Sequence, residues 1–333
     1  MKFLCLHGAY GNESNFQAQM GPFLSKASKS DKMSFKFISA QHEAIPPPGF
    51  ENYFGCGPLR RFVRHDGTGT VDDVLRRLDD FPQGETAEDT IRQLFKLVDN
   101  AEYNTEGVSG AIEYILDILR ADPEIDGILG FSEGAIVAAS TLLEEKRRWE
   151  EEGIPRQLKC GIFFGGWPPI SLRGGRGSVL LADESEDVID VPTCHVVGCE
   201  DPFIDGAMAL YSMCDQDSAE FFDHGNGHFI PREPQTCEEL TANILALVEK
   251  AEARFTPAGD SDSVSDSAPS PSLDGEFSQG SLTCSSRTSV SASSDGDLSR
   301  GSLTCSSRTS VSAPECGDGD SPLDSLSAQI SRL

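Results

Sequence analysis

Three residues could together perform nucleophilic acyl chemistry: Ser132, Asp201 and His228. Ser132 lies in "GFSEG", inside the run "EIDGILGFSEGAIVAAS". An apolar strand pattern runs into a serine flanked by glycines, and a small-residue helix pattern follows. A nucleophile on a sharp strand-to-helix turn needs this layout, because the turn brings its backbone close to neighbouring strands. Serines beside glycine are common, so the pentapeptide needs partners. A serine hydroxyl is a poor nucleophile until a base takes its proton. In such a layout an acid and then a histidine follow the serine, each just past a later strand. "CHVVGCEDPFI" supplies Asp201 beyond the strand end at Gly198, and "FFDHGNGHFIP" supplies His228 in a glycine-rich loop. The rival base is His224, close to the end of its strand, where a structural role fits better. The rival acids are Glu200 and Asp205.

The chemistry also requires two backbone N–H groups aimed at the oxygen that becomes negative. One is expected from Glu133, directly after the serine. The other is expected from the loop that follows the first strand, "CLHGAYGNESNF", with Ala9 as the donor and Tyr10 as the alternative. His7 in the same loop reads as structural.

These residues need a sheet to hold them. Short apolar runs at 2–6, 34–40, 126–131, 160–166, 193–198 and 219–224 read as strands. Val108, Ile112, Ile115, Leu116 and Leu119 recur with helical spacing. Further helices are expected over roughly 134–150 and 236–253. Strands separated by helices imply a mostly parallel sheet covered on both faces. Residues 42–100 interrupt the rhythm with a segment rich in Pro, Gly and aromatics early and helical late. It reads as a lid or pocket wall, with Thr86 capping a helix in "TAED". Its aromatics Tyr53, Phe54 and Phe62, with Tyr10, are candidates for a substrate pocket or for small satellite cores.

The sequence changes character near Thr256. Residues 1–255 read as one α/β domain and 256–333 as a disordered tail rich in Ser, Asp and Gly. The tail repeats "GSLTCSSRTSVSA", at 280–292 and again at 301–313. Two copies with so little to bury cannot form a solenoid.

Composition excludes several classes. The formal net charge of −27 argues against nucleic acid as a partner. No run of 18 apolar residues is present and the N-terminus does not read as a signal peptide, so a cytoplasmic protein with no membrane partner is expected. The ten cysteines show neither a disulfide framework nor zinc-site spacing, and no metal or cofactor is expected. "GGRGS" at 174–178 lacks the spacing of a dinucleotide loop.

Five stretches, "LCLHGAYGNESNF", "DGILGFSEGA", "GIFFGGWPP", "HVVGCEDPF" and "GNGHFIP", carry a resemblance. With them the chain resembles, over residues 1 to about 250, the fungal serine hydrolases of the FSH type, a branch of the α/β-hydrolases. The resemblance implies that fold and assigns the catalytic roles to Ser132, Asp201 and His228. Glu133 departs from it, since Gln is usual there; a carboxylate could raise the histidine's pKa or discourage anionic substrates. "GPLRRFVRHDG" and "DDFPQGETAEDTIRQLF" are similar to the branch found in fungal polyketide gene clusters, with azaphilone- and citrinin-type pathways nearest. That implies an esterase or thioesterase acting on a polyketide acyl chain, with an acyl carrier protein as a candidate carrier. Arg60, Arg61, Arg64, Arg76 and Arg77 would form the basic docking patch, or a solvated basic face. The alternative is an accessory protein that binds a polyketide intermediate on the same fold without catalysis.

Overall fold

The apolar runs become one six-stranded sheet in the computed structural model, which describes residues 1–46, 57–63, 81–97, 105–172 and 177–255. The sheet contains β1 (Lys2–Leu6), β2 (Ser34–Ile38), β5 (Ile125–Phe131), β6 (Cys160–Phe164), β9 (Thr193–Val197) and β10 (Ala219–Asp223). Their spatial order is β10-β9-β6-β5-β1-β2, and every pairing is parallel. The order reverses direction at β1, which is flanked by β2 and β5.

Parallel strands covered on both faces are apolar throughout. In β1 the alternation of side chains divides one run between two cores. Leu4 and Leu6 face a core with α3 (Thr105–Ala121) and α4 (Glu133–Glu152). Phe3 and Cys5 face a second core with α1 (Glu13–Ala27) and α6 (Pro234–Phe255). The spaced residues of 108–119 are all buried in the first core. The expected boundaries hold to within about two residues; the strands expected over 34–40 and 160–166 end at Ile38 and Phe164.

Two helices were not legible from spacing alone: α1, and α5 (Ile204–Ser212). The first contains "GP" at Gly21-Pro22, which reads as a break. Packing overrides it, because Phe16, Met20, Phe23 and Ala27 bury one face of the helix. Asn12 caps the helix by accepting the Asn15 N–H at 2.9 Å.

Within the expected lid, the described parts are tied down at both ends. A short antiparallel pair joins β3 (His42–Glu43) to β4 (Arg60–Arg61). The helix α2 (Ala87–Leu97) starts where Thr86 was expected to cap it: the Thr86 Oγ1 accepts the Asp89 N–H at 3.1 Å. Arg92 on α2 pairs with Asp183 and Glu184, each at 2.7 Å, in the segment between β8 (Ser178–Val179) and β9. The remaining short strand is β7 (Ile170–Ser171), antiparallel to β8. The tail from 256 onward, with its repeat, lies outside the described residues.

Ile115 of α3 is fully buried in the first core. Ile115→Ala is expected to cost about 2–5 kcal/mol in urea unfolding, the usual range for an emptied aliphatic site. A loss well under 1 kcal/mol would show that α3 does not pack as described.

Candidate active site

Ser132 stands between β5 and α4 with φ +52° and ψ −117°. Left-handed backbone is unfavourable for a side chain with a Cβ, and such strain survives only where the surroundings enforce it. Here the enforcement is close packing at two glycines. A Cβ on Gly134 would lie 2.4 Å from the Leu6 carbonyl oxygen and 2.5 Å from that of His7. A Cβ on Gly130 would lie 2.4 Å from the Gly134 oxygen. The start of α4 therefore rides directly over the end of β1, and the turn at Ser132 has to be sharp. The Ser132 N–H donates to the Phe164 carbonyl at 2.9 Å, which fixes the turn to β6. The serine side chain makes no capping hydrogen bond to its helix.

Asp201 and His228 meet as their order in the chain requires. The His228 Nδ1 lies 2.7 Å from the Asp201 Oδ2. Since a carboxylate only accepts, Nδ1 carries a proton, which in the neutral tautomer leaves the lone pair on Nε2. The other Asp201 oxygen accepts the Phe203 N–H at 2.8 Å, so the buried carboxylate is held on both sides. The His228 ring lies against Phe131, the residue before the serine, with centroids 5.2 Å apart. The loop carrying His228 crosses the end of β9 closely enough that a Cβ on Gly198 would meet the Asn226 oxygen at 1.7 Å. Gly165, with φ +49°, leaves room for the imidazole: a Cβ there would lie 2.8 Å from it.

The rivals are elsewhere. Glu200 is exposed, and Asp205 sits in the first turn of α5. His224 donates its backbone N–H to Val197 at 2.8 Å and packs its ring on Phe229, and burial lowers its pKa. His7 is structural too. Its Nδ1–H donates to the Gly8 carbonyl at 2.6 Å and its Nε2 accepts the Ala40 N–H at 3.0 Å. Desolvation lowers its pKa, in keeping with a neutral ring.

Glu133 is the first residue of α4, so its N–H is one of the helix's unpaired donors and sits at the positive end of the helix. Ala9 lies in the loop after β1, where the Gly11 N–H donates to the Gly8 carbonyl at 3.1 Å. Tyr10, the alternative donor, has φ +60°.

Several expectations about side chains need correction. Tyr10 is 1% exposed and Phe62 is fully buried, its ring tilted against His7 with centroids 4.9 Å apart. Both are buried, which favours the reading of these aromatics as core packing. Tyr53 and Phe54 lie outside the described residues, as do Arg64, Arg76 and Arg77. Arg61 is no docking residue: it is buried and pairs with the Glu133 carboxylate at 3.2 Å. Arg60 is half-buried and donates to the Ala40 and Gln41 carbonyls at 3.3 and 3.2 Å. The Glu133 charge is thus matched by a cation.

The sequence reading missed an aromatic group beside the histidine. Phe203 meets His228 edge to face at 5.2 Å, and Trp167 and Phe81 pack on Phe203 at 6.0 and 5.4 Å. Trp167 follows β6 and Phe203 follows Asp201; both stood in motifs already singled out, but nothing local showed that they converge. Also unforeseen is His195 on β9, fully buried with its pKa pushed down to about 3 by desolvation. Among the described residues no cluster of His, Cys, Asp and Glu could hold a metal ion, and no helix is long and apolar enough to cross a membrane.

A parallel sheet with a strained serine at a strand-to-helix turn, and an Asp–His pair past later strands, defines a serine hydrolase of the α/β-hydrolase class. Residues 1–240 match the family model described as "Serine hydrolase (FSH1)", and the chain belongs to that family. It is 25% identical over 256 residues to "Esterase FPY3" of Fusarium mangiferae, covering 75% of this chain and 98% of that one. It is 27% identical over 254 residues to "Esterase citA" of Monascus ruber, covering 69% and 85%. Among solved structures, the crystal structure of esterase PE8 is similar with a TM-score of 0.44 and 18% identity, covering 74% of this chain and 92% of that one.

Gly134→Ala is expected to lower stability by about 1–3 kcal/mol and to slow covalent labelling of Ser132 by a fluorophosphonate. Wild-type melting and labelling in this variant would contradict the close approach of α4 to β1.

Proposed function

We propose that Ser132, His228 and Asp201 hydrolyse an acyl ester or thioester whose acyl part is an apolar chain of polyketide type. The observation that carries the reading is the 2.7 Å Asp201–His228 hydrogen bond, with the imidazole packed on Phe131, the residue before a serine held at positive φ. Ser132 Oγ attacks the acyl carbon while His228 Nε2 takes its proton. Asp201 fixes the tautomer and stabilises the imidazolium. The N–H groups of Glu133 and Ala9 hold the oxyanion. The imidazolium then protonates the leaving alcohol or thiol. Water, deprotonated by the same Nε2, attacks the acyl-serine and releases the acid. No metal or cofactor takes part in any of these steps.

The acyl preference draws on two supports. Phe203 packs on the base, and Phe81 and Trp167, both partly exposed, extend this apolar group. Relatives named as esterases share the chain's length over the folded part. We place the reaction in the cytoplasm, where a polyketide synthase would present the chain on an acyl carrier protein. With Arg61 buried, carrier docking has to use other surface.

The test uses p-nitrophenyl esters and N-acetylcysteamine thioesters of graded chain length, with fluorophosphonate labelling read by mass. Ser132→Ala is expected to lose the adduct and roughly 10³-fold or more in kcat. Asp201→Asn is expected to keep the fold and lose about 10⁴-fold in kcat, because the imidazole takes the wrong tautomer. A folded wild type with neither adduct nor turnover would favour a non-catalytic accessory protein that binds the intermediate.

A further inference from the structure

We infer that Arg60, Arg61 and Phe62 form a clamp that sets the spacing between the two halves of the oxyanion hole, with Arg61 and Glu133 as its positioning residues. The inference rests on the hydrolase reading and deepens it. Glu133 and Ala9 are far apart in the chain, yet their N–H groups must converge on one oxygen. Each of three consecutive residues in the insertion touches one or both of the segments that carry these donors.

The contacts to α4 come through the Glu133 side chain. One carboxylate oxygen accepts the Arg61 Nε–H and the other accepts the backbone N–H of Phe62, both at 3.2 Å. The side chains of Arg61 and Glu133 are only 7% and 5% exposed. The contacts to the β1 loop come from the same segment. The Arg60 N–H donates to the Gly11 carbonyl at 2.8 Å. The Arg61 guanidinium lies over the Tyr10 ring, 5.5 Å from its centroid. The Phe62 ring packs on His7, whose Nδ1–H holds the Gly8 carbonyl. Residues 7, 8, 10 and 11 flank Ala9 in the chain, so its position is tied to the same segment whose Arg61 and Phe62 hold Glu133.

The chemistry of the pair accounts for the carboxylate. Two donors converge on residue 133, and a carboxylate is acceptor-only. A glutamine could accept from one of them but would turn its own NH₂ toward the other. Glu133 is therefore matched to Arg61 and to the Phe62 amide. A buried charge whose partner is removed is left uncompensated. The backbone segments of the hole would then shift, and displacements near 1 Å cost about 10²-fold in rate.

The experiment measures kcat, KM and melting temperature for wild type, Glu133→Gln, Arg61→Met, Arg61→Lys and the double variant Glu133→Gln/Arg61→Met. Active sites are counted by fluorophosphonate. A clamp predicts a drop in kcat of about 10–100-fold per active site in each single variant, with KM within about twofold. It also predicts that the double variant loses no more than the worse single one, as for residues acting as a unit. Inhibition by a trifluoromethyl ketone, whose serine adduct carries the oxyanion, should weaken in step with kcat/KM. Variants that melt lower but keep wild-type kcat per active site would overturn the clamp and leave a purely structural pair. A loss confined to KM would overturn it as well. Arg61→Lys keeps a cation and the near-isosteric Glu133→Gln keeps the volume, so folded protein is expected even if Arg61→Met unfolds. A wild type without label or turnover would instead overturn the hydrolase reading, and the clamp with it.

Discussion

The site depends on how closely α4 approaches the end of β1. Two glycines permit that approach, and the backbone at Ser132 is forced into a left-handed conformation because of it. The strain and the function share a cause: a gentler turn would lay the serine along the sheet instead of lifting it above the strand ends. The same approach sets the first turn of α4 beside the β1 loop, so Ser132 and the two segments proposed to supply the oxyanion donors meet at one packing contact. Asp201 and His228 are then brought in from the far side by β9 and the loop after β10, passing over Gly198 and Gly165, where side chains would collide.

Electrostatics follow the same economy. The Asp201 carboxylate is buried but fully engaged, by an imidazole and a backbone amide. The Glu133 carboxylate is buried and engaged by a guanidinium and a backbone amide. Isolated ions in such places would be strongly disfavoured. Here each carboxylate has two donors. His7 and His195 show the opposite solution, since desolvation keeps both rings neutral.

What the sequence revealed divides by the range of the interaction. The turn at Ser132, the cap at Thr86 and the apolar strands are local patterns, and each is legible because a few adjacent residues determine it. The order serine, aspartate, histidine is also legible, because a parallel sheet places its loops at one end in a fixed succession. The Arg61–Glu133 pair was not, since 72 residues separate its members and nothing in either stretch points to the other. For the same reason Arg61 read as part of a basic surface and Phe62 as pocket lining. Whether a side chain in an irregular segment faces solvent, ligand or core is decided by what lies across from it. The helix α1 is the reverse case, a pattern that "GP" obscured and tertiary burial restored.

The strand order has a consequence for how the molecule is made. β1 lies between β2, which follows it directly, and β5, which begins at Ile125. The first strand synthesised must therefore keep one edge open until more than a hundred further residues have appeared. Parallel pairings of such long range form slowly and leave unpaired strand edges exposed in the meantime. The apolar "FLCL" of β1 is the segment at hazard during that wait. Mutations that delay β5 would thus be felt first as aggregation of nascent chains rather than as a weaker native state.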